Sequence, residues 1–373
     1  MAKHVEKLLN HQRDLLAPKA IEEVEAAIRE LRSAAATGEK AALEKQMADL
    51  ETTANKWIKP YPNAAWRENV EVLLVALAVA MGIRTFFLQP FKIPTGSMQP
   101  TLFGVTSQNF TRQPEGGIPT GFARIRDWFA GASYLQLKAD QDGVFEGAEP
   151  PVRLLIFNIL QKVHFAGNSF TLWFPPDYGS ATLEQRAGIV SGQPFHKGED
   201  ILNLRVSAGD HLFVDRLTYN FRPAKRGEIV VFETKGIDSL PQDQFYIKRL
   251  VGLSGETLQI GDDRHLVVDG RRLDSKTPHF ENVYCFDPND GPRESHFSGH
   301  VNTQTSGQHM PFFADASSAY KITDGSYMVM GDNTMNSLDS RFWGDFPAHN
   351  VIGRAQFVYW PISRRFGWDC LFH

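Results

Sequence analysis

Residues 70–91 read VEVLLVALAVAMGIRTFFLQPF, and this is the one run of membrane grade in the 373-residue chain. From Val72 to Phe91 it holds a single charge, Arg84. About 20 helical residues, each rising 1.5 Å, cross a hydrocarbon core of about 30 Å. Arg84 sits near one end, where its long stem reaches the interface. The run therefore predicts one transmembrane helix, placed at residues 63–90. Its uncharged part, Val72–Ile83, has the length of a buried core helix, so length alone leaves a soluble reading open. Basic residues do not orient the span: Lys56, Lys59 and Arg67 precede it, and Arg84, Lys92 and Arg112 balance them. The opening MAKHVEKLLNHQRDLLAPKA lacks the apolar core of a secretory signal.

Residues 1–62 read as a soluble helical segment. Ile21, Val24, Ile28 and Leu31 fall three or four apart and make one apolar stripe. Leu43, Met47, Leu50 and Trp57 repeat the pattern after a break at Thr37-Gly38. The spacing predicts a helical hairpin with charged outer faces. Pro60 and Pro62 end it, and Asn63 is placed to cap the span.

Beyond Leu102 helical periodicity fades. DHLFVDRLTY (210–219), GEIVVFET (227–234), TLQIG (257–261), HLVVDG (265–270) and SYMVMGD (326–332) read as short strands. A hairpin is expected to turn at Asp269-Gly270. Strands without alternating helices predict a mainly β domain, sheet or barrel-like, over residues 91–373. Two stretches look like insertions, at about 104–200 and 275–322. The first shows helical character around RLLIFNILQKVHF.

A net charge of −4 gives no sign of a nucleic-acid partner. Cys285 and Cys370, the only two cysteines, cannot make a metal site by spacing, and either pair or stay as buried thiols. The chemistry-bearing stretch is FKIPTGSMQPTL (91–102), which sets Ser97 between Pro94 and Pro100 directly after the span. A serine hydroxyl needs a base. Of 12 histidines, His211 at a strand start is the best placed, and no GxSxG elbow accompanies it. A lysine serves if an apolar site lowers its pKa from about 10.4. QFYIKRLVGLSGE (244–256) offers Lys248 in an apolar strand, sharing a face with Tyr246 and Leu250 while Arg249 points away.

These pieces together resemble the type I signal peptidases, the bacterial-type serine–lysine dyad family. FKIPTGSMQPTL is similar to their serine box, GDHLFVDRLTYNFRPAKRGEIVVF (209–232) to a β-core box, YIKRLVGLSGE (246–256) to the lysine box, and GDNTMNSLDSRFWG (331–344) to the closing box. The boxes come in the family's order after an anchor, and cover roughly a fifth of the chain. Ser254 and Glu256 depart from the usual lysine box, and the 104–200 insertion is long for the family.

The resemblance implies a membrane-anchored serine endopeptidase that cleaves signal peptides from exported preproteins. Its partners would be those peptides and the lipid bilayer, with no cofactor. It would sit in the inner membrane as a single-pass protein, with its catalytic domain on the periplasmic side. Ser97 would be the nucleophile and Lys248 the general base. The Ser97 N–H and the Thr95 hydroxyl would form the oxyanion hole, Ser337 would orient Lys248, and Asp339 and Arg341 would form a supporting ion pair. Ile93, Met98, Leu102, Tyr246 and Ile247 would line the substrate pocket.

Three other readings compete. A self-cleaving repressor-type protease shares the dyad, but residues 1–60 carry no basic recognition helix and the apolar run argues against it. A non-enzymatic, membrane-anchored β-domain that binds exported proteins fits if Ser97 and Lys248 do not meet. A calcium loop at Asp332, Asn333, Asn336 and Asp339 does not match known spacing.

Overall fold

The computed structural model describes residues 1–59, 64–111, 118–155, 157–285 and 299–368. Pro60, Pro62, Asn63, Arg112 and Cys370 fall outside these, and with them the expected cap and any disulfide; Cys285 is exposed, not a buried thiol. The chain divides into two compact units, Met1–Ala80 and Met81–His373.

Residues 1–59 hold three helices where the sequence suggested two: α1 (Ala2–Gln12), α2 (Pro18–Thr37) and α3 (Lys40–Trp57). Val24, Ile28 and Leu31 are buried as the stripe predicts, and Leu50 joins them from α3, whereas Met47 is exposed. Val5 and Leu9, one helical turn apart, bring α1 onto the same core. Each such burial is worth roughly 1.5–3 kcal/mol. Gly38, with φ +74°, ends α2 at the expected break by taking the left-handed conformation that glycine allows. Helix α4 (Ala64–Phe86) is long and apolar enough to cross a membrane, and none of its apolar window is buried. It ends four residues before the expected 90, because residues 88–92 are taken by a strand.

That strand, β1 (Leu88–Lys92), leads into the serine segment. The 104–200 insertion follows and is itself β-rich. It contains β2 (Thr106–Asn109), α5 (Phe122–Phe129), β3 (Ala132–Lys138), β4 (Gly143–Ala148), β5 (Val152–Leu154), β6 (Phe157–Phe165), β7 (Asn168–Trp173), α6 (Leu183–Ala187), β8 (Pro194–Phe195) and β9 (Asp200–Ser207). Within RLLIFNILQKVHF, residues 157–165 form strand β6, not helix. Gln161, Val163 and Phe165 are buried while Lys162 and His164 point outward, and this period of two is that of a pleated strand. The order β2-β9-β3 makes one sheet; β5-β6-β4-β8, with β7 on β6, makes another. Phe145, Val163, Phe165, Leu202 and Leu204 centre their shared core.

The remaining elements are β10 (His211–Asp215), β11 (Ile229–Glu233), β12 (Phe245–Gly252), β13 (Thr257–Ile260), β14 (Leu266–Val268), β15 (Arg271–Arg272), α7 (Thr303–Ser306), β16 (Tyr320–Lys321), β17 (Ser326–Met330), α8 (Ser340–Trp343), β18 (Phe346–Pro347) and β19 (Val351–Trp360). All five strand segments expected from sequence contain a strand. A seven-stranded antiparallel sheet runs β1-β10-β19-β11-β12-β17-β18. A four-stranded sheet, β15-β14-β13-β16, draws on the second insertion through β16. Asp269 and Gly270 turn the β14–β15 hairpin with φ +47° and +77°, the positive values a tight hairpin turn needs. The chain is mainly β, with one apolar helix and three helices before it.

Candidate active site

Three segments far apart in sequence converge on the large sheet: residues 93–104 after β1, strand β12, and the turn from β17 to α8. Lys248 lies in β12, between β11 and β17, opposite Val230. Its Nζ donates to Ser97 Oγ at 2.7 Å and to the Ile247 carbonyl at 3.1 Å. The Tyr246 ring centroid is 5.6 Å from Nζ. Both Lys248 and Ser97 are buried. That burial pushes the Lys248 ammonium down from 10.5 to about 8; the Asp339 and Asp332 charges oppose the shift and Arg341 adds to it.

The serine segment is clamped by groups on the β17–α8 turn. Asn333 donates from its backbone N–H to the Ser97 carbonyl at 3.0 Å and from Nδ2 to the Gly96 carbonyl at 2.9 Å. Thr101 donates from Oγ1 to Asp332 Oδ2 at 2.5 Å. Asp332 in turn takes a two-pronged bond from Arg249, Nε to Oδ1 at 2.7 Å and Nη2 to Oδ2 at 2.6 Å, and both side chains are fully buried. Gly331 permits the close approach, since a Cβ there would lie 2.2 Å from Ser337 Oγ and 2.5 Å from the Ser97 carbonyl oxygen.

Asp339 and Arg341 pair at 2.8 Å and 2.9 Å, buried, as the sequence led us to expect. Burial alone would raise the Asp339 carboxyl. The Arg341 charge and hydrogen bonds, with the Gly331 N–H, outweigh it and hold the group below the usual carboxylate range. Ser337 also adds to that lowering, although its Oγ lies outside ordinary hydrogen-bond geometry. The hydrogen bonds of Lys248 Nζ go to Ser97 Oγ and the Ile247 carbonyl, and Ser337 Oγ makes none in this structure.

Ile93, Met98, Leu102 and Ile247 meet in one apolar cluster, while Tyr246 joins the cluster on the lysine's side of β12. Thr95 is exposed, and its backbone is backed by Gly104, where a Cβ would lie 2.2 Å from the Thr95 carbonyl. His211 lies opposite Lys92 in the β1–β10 pairing and edge-on to Tyr359. Burial first, and then the Lys92 charge, lower its pKa. Asp332 and Asp339 are committed to arginines, and among the described residues no acidic, His or Cys group is arranged to hold a metal. Sequence reasoning missed Arg249, Asp332, Asn333 and Thr101. An arginine beside a lysine in an apolar strand does signal a buried charge needing an acid, but not which acid.

The Signal peptidase, peptidase S26 family model matches residues 66–108 and 202–360, which is more than half of the chain. The chain belongs to this family. Signal peptidase I of Leptolyngbya laminosa is 34% identical over 167 residues, covering 43% of this chain and 64% of that protein. The probable signal peptidase I-2 of a Synechocystis strain is 29% identical over 158 residues, covering 42% of this chain and 57% of that one. The matches thus span less than two thirds of these two relatives' lengths. A solved signal peptidase I from Enterococcus faecalis V583 is similar at 23% identity and a TM-score of 0.25, covering 36% of this chain and 97% of that chain. Residues 109–201, most of the first insertion, lie between the two matched stretches.

Proposed function

We propose that this chain is a membrane-anchored serine endopeptidase that removes signal peptides from exported preproteins. The observation carrying the proposal is the 2.7 Å contact between Lys248 Nζ and Ser97 Oγ, made by an amine whose pKa burial brings to about 8. At pH 7 about one amine in ten is then neutral, against about one in a thousand for a free lysine.

The neutral Lys248 amine takes the Ser97 hydroxyl proton as Oγ attacks the carbonyl carbon of the bond to be cut. The oxyanion that forms is held by the Ser97 N–H and the Thr95 hydroxyl. Collapse expels the mature protein's amino group, which leaves with the proton carried by Lys248, and an ester to Ser97 remains. A water, deprotonated by Lys248, hydrolyses the ester and restores the hydroxyl. Asn333 and the Arg249–Asp332 pair fix the serine segment throughout, and Asp339–Arg341 holds the turn that carries Asn333.

Thr95→Val is expected to lower turnover by about 10²–10³-fold, the usual worth of one oxyanion donor. Thr95→Ser should retain most of it, and neither change should shift the unfolding midpoint. Full activity in Thr95→Val places the second donor elsewhere.

Ile93, Met98, Leu102 and Ile247 are proposed to line a shallow apolar pocket for small side chains. The purified full chain should cut peptides with Ala, Gly or Ser before the bond and a small aliphatic residue two positions earlier, the A-x-A pattern of signal peptides. Phe or Lys before the bond should be refused; efficient cleavage there rejects the pocket assignment. Helix α4 is proposed to anchor the chain, with residues 1–60 inside and 92–373 outside. Protease added to intact spheroplasts should then degrade the C-terminal part alone, and its protection would reverse this topology.

A further inference from the structure

The first insertion touches the serine segment directly. Asp177, in the loop between β7 and α6, accepts from Lys92 Nζ at 2.5 Å through Oδ2. Its other oxygen, Oδ1, accepts from the Gly179 N–H at 2.8 Å and so closes the loop on itself. Gly179 has φ +71°, and a Cβ there would lie 2.8 Å from the Pro94 carbonyl oxygen and 3.0 Å from Val105 Cβ. The loop's backbone is therefore packed against the residue immediately before Thr95. Gly104 also lies close enough that a Cβ would sit 2.2 Å from the Thr95 carbonyl. Residues 92–95 are held by β10, where the Ile93 N–H donates to the Asp210 carbonyl at 2.9 Å, and beyond it by the insertion loop and Gly104.

The ion pair is half-exposed, with side chains 28% and 41% accessible, so it adds little to global stability. Its leverage is local. Lys92 ends β1 and fixes the point from which the chain runs through Ile93 and Pro94 to Thr95, three residues on. Gly179 sets the height of the Pro94 carbonyl over the loop.

We propose that Asp177 is a positioning residue for the cleavage reaction: through Lys92 and the Gly179–Pro94 contact, the inserted β segment sets the placement of the Thr95 hydroxyl. The inference rests on the Ser97–Lys248 reading of the site and on Thr95 as oxyanion donor. It gives the insertion, most of which lies outside the stretches matched by the family model, a part in the reaction.

The test is a double-mutant cycle on the full-length chain in detergent, read by single-turnover cleavage of an A-x-A peptide. Asp177→Asn should lower the cleavage rate by about 10-fold or more, since small misplacements of reacting groups carry costs up to about 10²-fold. Peptide affinity should change by less than about 2-fold, because Thr95 acts on the oxyanion and not on the bound ground state. In a Thr95→Val background the same substitution should cost less than about 2-fold, since the group it positions is gone. Lys92→Met removes the same ion pair from the other side, and has to give the same pattern. An equal factor in both backgrounds, an effect confined to affinity, or no effect at all would each overturn the proposal. Activity remaining in Ser97→Ala would instead overturn the underlying reading. An inactive Ser97→Ala with multiplicative Asp177→Asn and Thr95→Val effects rejects the positioning role alone.

Discussion

Lys248→Arg is expected to abolish cleavage as completely as Ser97→Ala or Lys248→Ala, a loss of at least about 10²–10⁴-fold for the base alone. Guanidinium stays protonated in proteins and cannot take the Ser97 proton. In the native chain, cleavage should rise with pH along a limb centred near 8, the value to which burial brings Lys248. Substitution of His211 should leave that limb in place. Near-wild-type cleavage by Lys248→Arg, with loss in a histidine variant, would replace the lysine by a serine–histidine arrangement. The same burial has a cost in stability. The folded pKa is depressed from 10.5 to about 8, so the unfolded chain binds more protons between those values and stability rises with pH through that window. Below pH 8 the penalty is fully present, at roughly 3 kcal/mol for a shift of this size. Lys248→Met, inactive, should therefore resist urea better than the native chain at pH 7. The advantage should fade as pH approaches 10.5.

The other large effect concerns the buried pair behind the serine segment. Arg249→Met leaves the Asp332 carboxylate fully buried and without its two-pronged partner, and should cost about 3–5 kcal/mol of stability. Arg249→Lys should recover little. One ammonium cannot reproduce the fork to Asp332 together with the Nη1 bonds to the Gly227 and His279 carbonyls at 2.8 Å and 2.5 Å. The double variant Arg249→Met/Asp332→Leu removes both charges and should regain much of the loss. It should still cleave slowly, because Thr101 then has no carboxylate to hold and the serine segment loosens. Urea midpoints and turnover together check this. A single Arg249→Met variant as stable as the native chain would show that the pair contributes nothing to the fold.

These two effects differ in how far the sequence announced them. Ser97 and Lys248 stand in local patterns: a proline-fenced serine after an apolar run, and a lysine amid strand residues. The apolar span, the stripe of Val24, Ile28 and Leu31, and the Asp269-Gly270 hairpin are likewise set by spacings of a few residues. Such spacings fix which face a side chain takes before any partner is chosen. The helix reading of RLLIFNILQKVHF failed for the complementary reason. A short apolar run fits either period until strands pair with it, and β4, β5 and β7 decide for strand.

What the chain could not disclose by itself is every contact that depends on strand order. Ser97 and Lys248 are 151 residues apart, and their 2.7 Å contact follows from packing the serine segment against β12. The Arg249–Asp332 pair depends on β12 lying beside β17, which brings residues 83 positions apart into register. Ser337 shows the converse. Its place in the closing box suggested a bond to the lysine, whereas in the packed site Ser337 Oγ makes no hydrogen bond and Lys248 Nζ bonds Ser97 Oγ and the Ile247 carbonyl. The sequence by itself singled out Ser97 and Lys248 as candidates for the chemistry, because propensity and periodicity act over a few residues. Only the tertiary structure decided their partners, the burial that lowers the lysine's pKa, and the reach of Asp177 to Lys92. Those are set by pairings between distant strands, whose free energy resides in the assembled core and not in any one segment.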